Sequence, residues 1–192
     1  MNAVTRPGRP ERTDAARNRA KILAAANDIV TRHGVDALAM ADVAAAAGVG
    51  VGTLYRRFGD RSGLAYALID GRERLFQTAF LEGPPPLGPG APAADRVRAF
   101  LHALADRTAE QLDLLLMAET AAPFARFGGA YDAYTTHLTV LLAEARPGAD
   151  APFLADALLA PMAAPLLAHR LRAGWTVERV KAGLDDLLDG RP

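Results

Sequence analysis

The chain contains no cysteine, which excludes disulfides, thiolate metal sites and a cysteine nucleophile. Serine is nearly as scarce. Ser62 stands alone beside Asp60, where a helix start accounts for it, and no nucleophile elbow surrounds it. Lysine is reduced to two residues against twenty arginines, and no glycine-rich loop carries a Walker lysine. No histidine has a glutamate three residues before it, so the Glu-x-x-His metal pattern of helical bundles is missing. Long apolar runs are missing as well. The stretch Ala157 to Ala168 carries Pro161 and Pro165 and falls short of the ~20 apolar residues of a membrane span. No apolar signal core opens the sequence, so a cytoplasmic protein without membrane contact is expected. Gly48, Gly50 and Gly52 faintly suggest a dinucleotide loop, but Thr53 holds the sixth position and the preceding residues are Ala-rich rather than β-branched. The expectation is a protein with no enzymatic activity, no cofactor and no metal.

What is abundant is alanine and apolar residues at helical spacing, which predict an all-α chain. Residues 1–13, rich in Arg, Pro and Gly, read as a flexible basic arm. A helix follows from Asp14 to about His33, stopped by Gly34, then a short one from Met40 to Ala47 stopped by Gly48, and a third from Val51 to Phe58. A connecting helix is expected over 61–82, capped by Asp60. Residues 83–94 hold five prolines and three glycines and mark the boundary. Beyond it, over 95–192, Val97, Leu101, Leu104, Thr108, Leu112 and Leu115 define a helix with a possible break near Glu110. Phe124, Phe127, Tyr131, Tyr134, Leu138, Leu141 and Ala145 define another. A bent helix runs from Asp150 or Ala151 to Ala173. A last one, capped by Thr176, has Val177, Val180, Leu184 and Leu187 on one seam.

Net charge is zero, yet residues 1–61 hold ten basic and six acidic residues, and the remainder twelve and sixteen. Only the N-terminal third has the sign that phosphate contact asks for, although a solvated basic face would look the same. There the two short helices meet across Gly48-Val49-Gly50, a turn that can hold them at the steep angle of a helix-turn-helix. On the helix from Val51 to Phe58, Leu54 and Phe58 point inward and Arg56 outward, flanked by Gly52 and Thr53. Arg56 can pair with guanine O6 and N7, and Gly52 allows close backbone approach. Thr53, Tyr55, Arg57 and Arg61 suit phosphate oxygens, and Val51 suits a thymine methyl if the core leaves it exposed. Spacing alone would also fit any glycine-turned pair of amphipathic helices.

The run Gly34, Asp42-Val43-Ala44, Ala47-Gly48-Val49, Gly52-Thr53-Leu54-Tyr55, Phe58 and Leu64 resembles the DNA-binding signature of the TetR family of transcriptional regulators. The resemblance covers about residues 15–65. It implies a three-helix helix-turn-helix domain over 14–60, followed by a C-terminal helical bundle for ligand binding and dimerisation. It also implies that Thr53 and Tyr55 bind the phosphodiester backbone, that Arg57 replaces a frequent histidine, and that Arg61 replaces a frequent lysine. Ala39 and Gly50 depart from the pattern, standing where a capping Thr and a capping Ser are common.

One reading helix of eight residues contacts too few base pairs to select a site, so a homodimer on a palindromic operator in double-stranded DNA is expected. The resemblance assigns the dimer contact to the last two helices. Their seams could instead face their own core. A small-molecule effector that prefers the non-binding shape would release the operator, with repression as the outcome the family implies. A ligand-independent helix-turn-helix protein is the alternative. Phe100, Met117, Phe124, Phe127, Tyr131, Tyr134 and Met162 are the candidate effector pocket, the tyrosine hydroxyls being its hydrogen-bonding handles. Ordinary core residues would give the same pattern.

Overall fold

The computed structural model describes residues 9–190, which form α-helices and short 3-10 turns with no strand among the described residues. In chain order these are α1 (Arg9–His33), α2 (Met40–Ala47), α3 (Val51–Phe58), α4 (Arg61–Glu82) and α5 (Ala93–Glu110). They continue with α6 (Leu112–Glu119), α7 (Ala130–Ala145), α8 (Ala151–Leu159), α9 (Ala164–Arg172) and α10 (Val177–Asp189). The chain divides into two compact units, one reaching Leu68 and one beginning at Ile69.

α1 starts at Arg9, earlier than the Asp14 expected from the sequence. Pro10 is harmless there, because the first-turn N–H groups of a helix have no intrahelical acceptor. The part of the expected arm before Arg9 lies outside the described residues. In the first unit α1 packs on α2 and α2 on α3. The core is Ile22, Ala26, Leu38, Met40, Val43, Ala44, Leu54, Leu64 and Ala65.

In the second unit α5 packs against α7 and α10, α7 against α8, and α6 against α9. The division between units falls inside α4 rather than at the Pro/Gly stretch. Phe76 and Phe80, in the second half of α4, belong to the aromatic core of the second unit with Phe100 and Tyr134. Composition marks where the helix stops, but packing decides which residues belong together.

The stripe that begins at Phe124 is helical only from Ala130. Pro123, Gly128 and Gly129 interrupt it. Phe124 sits at φ +63° and Gly129 at φ +51°, conformations that no α-helix contains. Pro161 and Pro165 break the following helix as expected, giving α8, a 3-10 turn at Ala160–Met162, and α9, with a bend of 45°. No single helix among the described residues is long and apolar enough to cross a membrane. Asp150 and Thr176 cap α8 and α10, accepting from the amides of Phe153 at 3.1 Å and Arg179 at 3.2 Å.

Candidate functional site

The α2–α3 turn is built by backbone geometry. Gly48 adopts φ +67°, ψ +37°, and its N–H closes α2 onto the carbonyls of Ala44 and Ala45. Glycine takes that left-handed conformation without the strain a Cβ brings. Neither Ala39 nor Gly50 supplies a side-chain cap, in line with the two departures in the sequence. Leu54 is completely buried and anchors α3, while Gly52, Tyr55, Arg56 and Arg57 are exposed and Thr53 is half-buried. Val51 is 45% exposed, so the core does not claim it. Val51, Gly52, Tyr55 and Arg56 therefore share one open face, the i, i+1, i+4, i+5 set of a helix.

Arg61 is placed differently from the rest. Its Nη2 donates to the Val35 carbonyl at 2.5 Å, with Asp36 3.8 Å away, so the guanidinium ties the start of α4 to the segment before α2. The Arg61 side chain is 40% exposed, so it both braces this corner and borders the open side of the domain. Asp60 caps α4, accepting from the Gly63 amide at 2.9 Å. The corner needs glycine at 63, because a Cβ there would stand 1.9 Å from the Phe58 carbonyl oxygen.

The seven residues expected to form one effector pocket separate into different environments. Phe100, Tyr134 and Met162 are buried in the core of the second unit. Met117 is half-buried on α6. Phe124 and Phe127, 82% and 57% exposed, lie on the loop before α7, where Phe127 meets the Tyr131 ring edge-on at 5.0 Å. The Tyr131 hydroxyl donates to Asp156 at 2.9 Å, and burial together with that bond raises its pKa. Both tyrosine hydroxyls thus have partners within the protein.

Tyr134 belongs to a buried polar network that the sequence reading missed. Its hydroxyl donates to Glu73 Oε2 at 2.5 Å and accepts from Arg107 Nη1 at 2.9 Å. Arg107 Nη2 lies 2.6 Å from the same carboxylate oxygen, and Gln77 Nε2 donates to the other at 3.0 Å. The Arg107 guanidinium also covers the Phe76 ring at 5.5 Å. Burial holds the Tyr134 phenol protonated well above its ordinary range against the opposing pull of Arg107, so it remains a donor to Glu73. The signal was present in the sequence: Glu73 shares the helical face of Phe76, Gln77 and Phe80, and a charge on an apolar stripe needs a partner.

Two further clusters hold the second unit together. Arg98 reaches Asp185 at 2.5 Å and Asp189 at 2.6 Å, His102 reaches Asp185 at 2.9 Å, and Lys181 pairs with Asp106, all between α5 and α10. Val180 and Leu184 of the α10 seam are buried in the same unit, with Val177 and Leu188 packed against that core. Those four residues thus face the chain's own core, whereas Leu187 of the seam is exposed. On the other side, Glu119 accepts from the Ala164 amide at 2.8 Å, capping α9, and pairs with Arg126 at 3.3 Å. Arg126 in turn donates to the Leu159 carbonyl at 2.9 Å.

An open groove of about 520 Å³ lies between α4 and α7, with Gln77, Phe80, Leu81, Asp132, His137 and Val140 among its lining. None of the seven expected pocket residues lines it. His137 stacks on Phe80 at 4.4 Å and Phe100 at 5.1 Å, and its Nε2 is buried without a hydrogen-bond partner. Burial first, and the charge of Arg96 second, push its pKa from 6.5 down to about 4. A base depressed in the folded state stabilises the fold above its unfolded pKa, and that contribution is lost as pH falls through the folded value. Between pH 6.5 and about 4 the urea midpoint should therefore drop more for the native chain than for His137→Phe. Parallel curves over that window would refute the assignment.

The profile of the bacterial regulatory proteins of the tetR family matches residues 22–68. An HTH-type transcriptional regulator of Staphylococcus aureus (strain USA300) is 39% identical over 69 residues, 36% of this chain and 37% of that protein. The chain thus spans little more than a third of the length of the curated relatives it matches. Among solved structures, a TetR-family transcriptional regulator from Pectobacterium atrosepticum superposes with a TM-score of 0.67 at 20% identity, over 96% of this chain and 97% of the other. The transcriptional regulator FadR from Bacillus subtilis, solved in complex with stearoyl-CoA, gives 0.65 at 16% identity over 88% and 96%. At these identities the likeness is one of fold, which here extends across both units. Residues 22–68, with their helix-turn-helix geometry, are thus the part of the chain that is similar in sequence to the bacterial regulatory proteins of the tetR family.

Proposed function

We propose that the chain is a sequence-specific DNA-binding transcriptional regulator that acts as a homodimer on a palindromic operator and is released by a small-molecule effector, with repression as its default output. The observation that carries this reading is the open face of α3: Leu54 buries the helix by its opposite side and leaves Val51, Gly52, Tyr55 and Arg56 to solvent. Arg56 reads guanine, Val51 meets a thymine methyl, and Thr53, Tyr55 and Arg57 hold phosphates. Arg61 serves by fixing the corner that presents α3.

Dimerisation is supported by the shortness of α3, whose eight residues cannot select a site alone. With Val180 and Leu184 closed on the chain's own core, the outward residues Phe153 of α8, Leu166 of α9 and Leu187 of α10 are the apolar contacts that these last helices leave for a second copy. An effector is supported by the architecture shared with FadR, which was solved with stearoyl-CoA bound.

Selection of duplexes from a random pool, followed by titration across salt concentrations, tests the reading. It should return a two-fold-symmetric site bound by two chains, and a chain that enriches no duplex at low salt refutes it. Arg56→Ala should lose about 1–3 kcal/mol of discrimination at one guanine. Gly52→Ala separates stability from function. An added Cβ meets nothing within 4 Å in the free protein, so the fold should gain up to about 1 kcal/mol in helix propensity while operator affinity falls. Undiminished affinity in Gly52→Ala would remove α3 from the groove.

A further inference from the structure

The α4–α7 groove combines three features that narrow its occupant. Its volume of about 520 Å³ is within the range of small-molecule sites. Its lips are apolar side chains that the fold leaves open to water, Leu81 and Val140, the latter 62% exposed. Its wall carries the His137 ring, whose buried Nε2 has no partner in the protein. A buried polar atom without a partner is costly, and because the residue that carries it lines the groove, a small turn of the ring would offer it to what enters.

We infer that this groove is the effector site, and that it takes an uncharged, largely apolar molecule whose one hydrogen-bonding group meets His137. The inference rests on the regulatory reading above. Charge decides the class. Asp132 is the one ionisable group in the groove's lining besides His137, and Arg96, whose charge reaches His137, stands outside that lining and is turned to the Phe80 carbonyl at 3.3 Å, so a carboxylate or phosphate would meet repulsion from Asp132 without a counter-ion in the wall. The imidazole is neutral at physiological pH and offers a single hydrogen bond rather than a charge. Gln77 gives the occupant a route into the fold. Its amide borders the groove and donates to Glu73, so a ligand that draws on Gln77 perturbs the Glu73–Arg107–Tyr134 network joining α4, α5 and α7.

The test uses the full-length chain and two dyes that differ by one sulfonate, N-phenyl-1-naphthylamine (uncharged) and 1-anilinonaphthalene-8-sulfonate (anionic). The uncharged dye should bind one site per chain, and the anionic one about tenfold or more weaker. Thr136→Trp places a large ring at an exposed position of the lining and should cut uncharged-dye affinity at least about tenfold with the melting temperature unchanged. His137→Phe keeps the ring packing, removes the nitrogen, and should cost about tenfold. Equal binding of the two dyes, or uncharged-dye binding that ignores Thr136→Trp, overturns the proposal. So does a Thr136→Trp chain that sediments as a smaller species than the native one, since a second copy would then cover the groove. Operator binding is measured in parallel. Dye binding without operator binding removes the regulator and leaves the groove standing, whereas operator binding without dye binding removes the groove alone.

Discussion

Replacing Arg107 by methionine should destabilise the second unit by about 3–5 kcal/mol, because it leaves the buried Glu73 carboxylate without its cation. Glu73 and Arg107 are only 9% and 11% exposed, so water cannot take over the lost interaction. Tyr134 would also lose the donor to its oxygen while still donating to Glu73. The pair Glu73→Leu with Arg107→Met should recover most of the loss, since removing both charges also removes the desolvation that each imposes. Urea unfolding followed through Trp175, the single tryptophan, reads this unit. A double variant as unstable as Arg107→Met alone would show that shape, rather than charge pairing, sets the cost.

Phe100→Ala should cost about 3–5 kcal/mol by the same measurement. Phe100 is fully buried, and its ring lies within 5.5 Å of those of Phe76, Phe80, Tyr134 and His137. Truncation would open a void between α4, α5 and α7 that the surrounding helices cannot close. This also separates the two readings that the sequence left open for the residue. A wall of a solvent-accessible pocket would lose far less, and a change under about 1 kcal/mol would return Phe100 to the ligand site.

The first unit was largely legible in the sequence because its signals are local. Gly34, Gly48, Gly59 and Asp60 punctuate the helices, and the side chain of Leu54 alone fixes which face of α3 is open. Val51 stayed ambiguous because its exposure depends on neighbours from other helices. The brace at Arg61 was hidden for a related reason: its charge suits phosphate, and nothing in its spacing reveals a hydrogen bond to the Val35 carbonyl.

The second unit was legible as helices but not as a site. The aromatic spacing from Phe124 to Tyr131 matches a helix, but Gly128-Gly129 outweighs it, so the two phenylalanines end on a loop. The groove residues escaped notice because none is unusual alone; His137 was one histidine among four. Pairings such as Glu73 with Arg107, 34 positions apart, emerge only once α4, α5 and α7 are packed.

Glu119 has a mechanical consequence. Its carboxylate seats the first amide of α9, and Arg126, held by that carboxylate, seats the last carbonyl of α8. Both sides of the elbow between α8 and α9 are therefore pinned by one clamp, whose arginine lies between Phe124 and Phe127 on the exposed loop. Anything that grips those two rings therefore pulls, through Arg126, on the elbow that joins α8 to α9.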